Sequence, residues 1–192
     1  MIDPKLVMQL REQTGAGVLE AKRALEESGG DLEKAAEILR KSGALKAAKK
    51  SDRATGEGLV HAYIHGGGKV GVLLEVLCET DFVARNPEFQ GLAQDLAMQI
   101  AAMDPLYVKP EDVTSEVIEK EKEMYAEDVD GKPKEIQEKI LQGKIDKWLS
   151  EVCLMRQPFI KDEDQTIEDL IKSKIAKLGE NIQVRRFVRF AL

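Results

Sequence analysis

The chain has 192 residues, of which 43% are hydrophobic and 33% charged, a composition typical of a globular protein large enough to bury a core. Its formal net charge of −6 argues against general nucleic-acid binding, which favours a basic surface, and no apolar run approaches the roughly 20 residues of a membrane span. The acidic, amphipathic N-terminus is unlike a signal peptide, and Cys78 and Cys153 are isolated in sequence. We therefore expect a cytoplasmic protein without a disulfide framework, metal site or cofactor.

Residues 1–45 predict a small N-terminal module of three helices separated by glycine turns. Asp3 and Pro4 are typical of a helix start, and Gly43 is a typical residue just beyond a helix end. The three apolar stripes are Leu6, Val7 and Leu10; Val18, Ala21 and Leu25; and Leu32, Ala35, Ala36 and Leu39. We expect this module, which resembles the ubiquitin-associated type of fold, to bind a partner through a helix face. A simple capping subdomain is the alternative.

The next segment, residues 46–57, has no sustained apolar period and is locally basic. It is interpreted as a helical extension that leads into a flexible linker. A solvated linker is favoured over a nucleic-acid-binding patch, because the protein as a whole is acidic.

Two alternating segments, 59–65 and 70–78, predict a pair of strands joined by the glycine turn 66–68. These glycines and Gly71 match the G-x-G-x-x-G pattern, but a strand follows where a dinucleotide-binding site needs a helix. His61 and His65 would lie about 13 Å apart on a strand, too far to bind one metal ion.

The segment after the second strand, Glu79-Thr80-Asp81-Phe82-Val83, is the strongest functional candidate. Asn86 and Pro87 predict the start of the following helix, so Asp81 and Phe82 are placed on the turn between a strand and a helix. Such turns often carry functional residues on a rigid scaffold. Taken alone, the pair is more simply explained by a turn aspartate and a core phenylalanine.

The second half predicts further helices and a last strand. The helix that contains Phe89 and Ile100 is clearly amphipathic, and residues 58–110 and 157–192 are assigned to an α+β core. Charged helices on both sides of a turn at 128–133 predict an antiparallel helical hairpin, residues 111–156, that protrudes from this core. Thr166 begins another helix, and residues 182–192 are expected to add a third strand to an antiparallel sheet.

Five segments together resemble the elongation factor Ts family. They are LREQTGAGVLEAKRAL, RKSGALKAAKK, CETDFVARNPEF, QPFIKD and IQVRRFVRF, in the family's order and over nearly the whole chain. The resemblance implies a helical N-terminal domain, an α+β core with an antiparallel sheet, and a projecting coiled-coil hairpin. Longer members carry two copies of the core. This chain encodes one, so the resemblance implies a homodimer.

The family's function is guanine-nucleotide exchange on elongation factor Tu, a GTPase that binds GDP and Mg²⁺. The resemblance implies that Thr80, Asp81, Phe82 and Val83 insert between two helices of the GTPase and disturb its Mg²⁺ site. It also implies partner contacts by Lys22, Lys50 and His65, the last from the second subunit of a dimer. Such a protein is not an enzyme.

Two other functional classes remain open at this point. An enzyme could use the carboxylates of Glu79 and Asp81, although no base, nucleophile or metal cluster lies near them in sequence. A plain adaptor could use the N-terminal module alone, which leaves the Thr80–Val83 segment without a purpose.

Overall fold

The structure, a computed structural model, describes residues 2–126, 130–131 and 133–192, which form a mixed fold of helices and strands. The helices are α1 (Pro4–Thr14), α2 (Val18–Glu27), α3 (Leu32–Ala48), α4 (Asp81–Ala84), α5 (Pro87–Met103), α6 (Ser115–Met124), α7 (Lys134–Val152) and α8 (Ile167–Leu178). The strands are β1 (Glu57–Ile64), β2 (Val70–Cys78), β3 (Pro158–Phe159), β4 (Asp162–Thr166) and β5 (Gln183–Ala191). Among the described helices, none combines the length and the apolar character that a bilayer crossing requires.

The first three helices pack as the sequence predicts. Asp3 caps α1 by accepting a hydrogen bond from the Lys5 amide, and Gly15 ends the helix at φ 67°, a conformation that favours glycine. The small core contains Val7, Leu10, Ala21, Ala24, Leu25 and Ala35. Because alanines occupy half of these positions, the three short helices can approach each other closely.

Two details of this region differ from the prediction. Gly43 does not end α3, which continues to Ala48. A Cβ atom at position 43 would lie 3.6 Å from the Ala176 side chain of α8, so the glycine lies where another helix passes near it. Val18, predicted to face the core, is 52% exposed because α2 begins at this residue, directly after the glycine loop.

The main sheet has the strand order β1–β2–β5 and is antiparallel, which confirms the predicted three-stranded sheet. The central strand β2 buries Val72, Leu74, Val76 and Cys78, as its alternation predicts. A second, two-stranded antiparallel sheet, β3–β4, was not predicted. The sequence of β4, DEDQT, has no apolar alternation, and its residues are exposed or half-buried.

The chain divides into two compact units. The first contains Met1–His61, Glu75–Gln94 and Asp169–Val184, and the second contains Ala62–Leu74, Asp95–Glu168 and Arg185–Leu192. The division of the sequence into an N-terminal module, a linker, a core and an inserted hairpin stays a prediction.

Within the second unit, a buried pair of glutamines organises the polar interior. Gln99 donates to the Gln157 side chain (3.1 Å) and to the Pro158 carbonyl (3.1 Å), and it accepts from the Ile160 amide (2.9 Å). Both glutamines are completely buried, so these bonds satisfy groups that would otherwise lose water without replacement.

Helices α6 and α7 contact each other, as two arms of the predicted hairpin would. The Lys144 ammonium of α7 lies 4.7 Å from the centre of the Tyr125 ring, which follows α6. Of the predicted turn at 128–133, residues 128, 129 and 132 lie outside the described residues. That the hairpin protrudes stays a prediction.

Candidate functional site

The candidate site begins where β2 ends at Cys78. Thr80 caps the short helix α4, because its hydroxyl accepts a hydrogen bond from the Val83 amide at 3.4 Å. Asp81 and Phe82 therefore lie in the first turn of α4. Asn86 then caps α5 by accepting from the Glu88 amide (2.8 Å), and Pro87 is the first residue of that helix, as predicted.

The side chain of Phe82 is 84% exposed. Ala84 of the same helix is buried, and Phe89 at the start of α5 is completely buried. The local fold is therefore anchored by Ala84 and Phe89, and the explanation of Phe82 as a core residue does not hold. An aromatic ring left in water on a structured turn is available for burial against another molecule.

Asp81 is half-buried and forms an ion pair with Arg85 one turn later, at 3.0 Å between Oδ2 and Nη2. Because the Arg85 side chain is 81% exposed, this pair contributes little to stability. The Asp81 carboxylate can exchange this partner for a group on another protein at small cost.

Glu180, which follows α8, holds the start of the Thr80–Val83 segment in place through hydrogen bonds. Its carboxylate accepts three hydrogen bonds, from the Glu79 amide (3.1 Å), the Thr80 amide (3.0 Å) and the Thr80 hydroxyl (2.6 Å). The Glu79 carboxylate in turn accepts from the Asn181 amide (2.7 Å) and pairs with Arg53 (3.5 Å).

Sequence reasoning missed Glu180 and Asn181. The only signal was their position in a Gly-Glu-Asn turn after a helix, which is common and carries no information about a distant contact. Glu79 and Asp81, considered above as a catalytic pair, have separate partners: Glu79 binds Asn181 and Arg53, whereas Asp81 binds Arg85.

The three other predicted contact residues differ in their surroundings. Lys22 is exposed on α2 and lies 3.8 Å from the Glu26 carboxylate. Lys50 donates from Nζ to the carbonyl of Gly179 (2.6 Å), next to Glu180. Lys50 and the Thr80–Val83 segment are therefore attached to the same Gly-Glu-Asn turn in the first unit.

His65 belongs to the second unit, where it precedes the glycine turn Gly66–Gly68. A hydrogen bond of 2.8 Å joins its Nδ1 to the Tyr63 hydroxyl. The adjacent pocket, of about 140 Å³, is lined by both residues together with Met98, Ala101, Ala102 and Ile160. It is too small for a typical nucleotide-sized ligand, since such sites span roughly 300–1,000 Å³.

His61 and His65 form hydrogen bonds with different side chains. His61 Nε2 is hydrogen-bonded to Gln94 Oε1 at 2.7 Å, whereas His65 contacts Tyr63. No group of three or more His, Cys, Asp or Glu residues suited to a metal ion occurs in the part of the chain that the structure describes.

Both cysteine thiols are buried. Desolvation is the main cause that raises the pKa of Cys78 to about 11, and the nearby Glu180 carboxylate adds to it. Burial likewise raises the pKa of Cys153 to about 11. Cys78 Sγ donates a hydrogen bond to the Thr80 carbonyl (3.2 Å), so this thiol is a structural support of the site.

Comparison with known proteins gives a consistent result. The sequence profile of the family described as elongation factor TS matches residues 20–192. Elongation factor Ts of Carboxydothermus hydrogenoformans is 57% identical over 194 residues, covering 100% of this chain and 89% of that protein. The proteins of the same name from Thermosipho melanesiensis and Thermotoga petrophila are each 56% identical, cover 100% of this chain, and are themselves covered over 99% and 96% of their lengths.

Proposed function

Because the chain belongs to the elongation factor Ts family of translation factors, we propose that it accelerates the release of GDP from the GTPase elongation factor Tu. The observation that carries the proposal is the 84% exposure of Phe82 at the start of a capped helix, inside the segment that the family resemblance assigns to the exchange contact. No covalent bond is made or broken in this function, and we expect it to take place in the cytoplasm.

In the proposed mechanism, Phe82 inserts between two helices of the nucleotide-binding domain of elongation factor Tu. Asp81 gives up its exposed pair with Arg85 and binds the displaced helix. Thr80 and Val83 fix the direction from which the ring enters, since they form the hydrogen bond that caps α4. The displaced helix disturbs the Mg²⁺ site of the partner, which then loses affinity for GDP.

The energy that this mechanism needs can be compared with what one side chain supplies. Loosening GDP a thousandfold requires about 4 kcal/mol of differential binding. Burying one phenylalanine supplies about 1.5–3 kcal/mol, so a second contact area must provide the remainder. By linkage, GDP must weaken the binding of this protein to elongation factor Tu by the same factor.

The N-terminal helices offer that second area. Three apolar side chains of α1 and α2, those of Met8, Val18 and Leu19, are 60%, 52% and 71% exposed. We assign them to the partner-binding face, together with Lys22. Lys50 uses one of its three ammonium protons for Gly179, which leaves two donors for the partner.

His65 is assigned to a contact made by the second subunit of a homodimer. The dimer is supported by apolar side chains on the side of the sheet that faces away from α5 in the second unit. Arg189 of β5 donates from Nε to the Ala101 carbonyl of α5, so its neighbours Val188 and Phe190 point to the opposite side. We define the outer face as Ile64, Leu73, Val188 and Phe190, which are 66%, 47%, 42% and 68% exposed.

The proposal is tested by following labelled GDP as it leaves elongation factor Tu, with and without catalytic amounts of this protein. We expect release to accelerate by roughly a thousandfold at saturating protein, the factor considered above. An unchanged release rate at saturation would overturn the proposed function.

A further inference from the structure

We propose that Glu180 is a positioning residue that holds the segment with Asp81 and Phe82 in its partner-binding conformation. This inference rests on the proposed function and adds a residue outside the contact segment to it. Glu180 does not need to touch the partner, because it acts through the backbone and hydroxyl of Thr80.

The contacts of Glu180 are unusually complete for a side chain on a turn. One carboxylate oxygen, Oε2, accepts from two consecutive backbone amides, those of Glu79 and Thr80, at 3.1 and 3.0 Å. The other oxygen, Oε1, accepts from the Thr80 hydroxyl at 2.6 Å. Hydrogen bonds to an ionised carboxylate are stronger than neutral ones, and three on one residue fix both its position and that of the chain segment it holds.

The Thr80 hydroxyl transmits this restraint to α4. The hydroxyl donates a hydrogen bond to Glu180 and accepts one from the Val83 amide. The bond to Glu180 therefore orients the hydroxyl oxygen towards the Val83 amide. A helix of four residues has almost no intrinsic stability, because nucleation is costly and few hydrogen bonds follow. The conformation of Asp81 and Phe82 therefore depends on the cap, and the cap depends on Glu180.

The neighbours of Glu180 make its own position well defined. Gly179 accepts from Lys50 Nζ (2.6 Å), and Asn181 donates from Nδ2 to the carbonyls of Ser51 (3.1 Å) and Arg53 (2.9 Å). Asn181 is also almost fully buried. The Gly-Glu-Asn turn is thus attached to the segment after α3 on one side and to the contact segment on the other.

The test compares Glu180→Ala, which removes all three acceptors, with Glu180→Gln, which retains one oxygen for the two amides. Glu163→Gln, an exposed acid on β4, is the matched control. Each protein is measured in two ways: by hydrogen exchange of the Thr80 and Val83 amides in the protein alone, and by the maximal rate of GDP release from elongation factor Tu. We expect Glu180→Ala to lose amide protection and to lower the rate roughly tenfold, with Glu180→Gln between it and wild type.

A double variant separates positioning from general destabilisation. If Glu180 acts by presenting Phe82, adding Glu180→Ala to Phe82→Ala should not lower the exchange rate further. An additive loss, or unchanged protection of the Thr80 and Val83 amides, would overturn the inference. If Glu180→Ala does not fold, the same comparison is made with Glu180→Gln. A wild-type protein that fails to accelerate GDP release from elongation factor Tu overturns the proposed function. The amide measurement on the protein alone still decides whether Glu180 orders the segment.

Discussion

Phe82 and Phe89 lie on successive helices, yet the first is 84% exposed and the second is completely buried. The two side chains are chemically identical and close in sequence, so their different surroundings provide an internal comparison. The Phe82 ring lies on a short capped helix and is exposed to solvent. The Phe89 ring is part of the hydrophobic core.

We expect Phe82→Ala to abolish most of the exchange activity and to leave the melting temperature nearly unchanged, because no buried cavity forms. Phe89→Ala is the control and should lose about 3–5 kcal/mol of unfolding free energy, as buried phenylalanines do. Thermal melting and GDP-release traces of both variants check this prediction. A Phe82→Ala protein that melts early but exchanges normally once folded would rule out the wedge.

The cysteines give a second prediction about single residues. Both thiols are buried and burial raises the pKa of each to about 11, so almost no thiolate is present near neutral pH. The folded protein should resist alkylation at about pH 8 for as long as it stays folded. Mass spectrometry after unfolding in denaturant should then show both sites modified. Rapid labelling of Cys78 in the folded protein would contradict the described packing.

At the level of elements, the pairing of β1 with β2 depends on a glycine. Gly58 has φ +152°, and a Cβ atom there would lie 2.2 Å from the Val76 carbonyl oxygen. We expect Gly58→Ala to destabilise the protein by about 1–3 kcal/mol through backbone strain and displacement of the strand. Gly56→Ala is the control, since a Cβ at that position meets nothing within 4 Å. Equal denaturation midpoints for the two variants would show that the strands separate easily.

Ion pairs between Glu88 of α5 and two lysines of α8 connect these helices. Lys174 and Lys177 each donate a hydrogen bond to the Glu88 carboxylate. These bonds hold the pKa of Glu88 at about 2, below its ordinary value of 4.5, and the bond from Lys174 has the larger effect. A carboxylate with a lowered pKa in the folded state stabilises the protein above the unfolded pKa, and this stabilisation is lost as the pH falls from about 4.5 towards 2.

Glu88→Gln removes the charge, so the stability advantage of wild type over this variant should be largest near pH 7 and should shrink at about pH 3. Urea unfolding at the two pH values measures it. A difference that does not change with pH would mean that the lysines contribute no electrostatic stabilisation in solution.

Elements with a strong period could be predicted from the sequence, and those held by distant contacts could not. The α5 stripe and the alternation of β2 place their buried residues correctly, because burial on one face leaves a regular pattern. Strand β4 has no such pattern. Helix α3 passes through Gly43, because a glycine costs a helix only about 1 kcal/mol and a neighbouring helix lies beside it.

The candidate site shows the same limit. Its place between β2 and α5, and the cap at Asn86, follow from local sequence signals. The prediction that Asp81 and Phe82 lie on a simple turn was wrong, because the capped helix α4 occupies this position. The exposure of Phe82 and the support from Glu180 depend on where other segments lie, which no local pattern encodes.

For the whole molecule, the main expectation is the homodimer. Light scattering at micromolar concentration should give twice the mass of one chain, and Phe190→Glu on the outer face should shift the protein to monomers, since a charge cannot be buried there without a partner. The control is Phe82→Glu, at a phenylalanine that is more exposed than Phe190 and lies outside that face, and it should leave the dimer intact. A fully active wild-type monomer would contradict the dimer and the role assigned to His65.

The bond between Glu180 and Thr80 also has a consequence for the time at which the protein becomes competent. The two residues are 100 positions apart, so a ribosome that adds roughly 5–20 residues per second completes Glu180 about 5–20 s after Thr80. During that interval β2 and the chain after it have been synthesised, but the acceptor that orders α4 has not. A nascent or truncated chain that lacks Glu180 therefore displays Phe82 without an ordered α4, and only a chain synthesised beyond this residue can engage its partner.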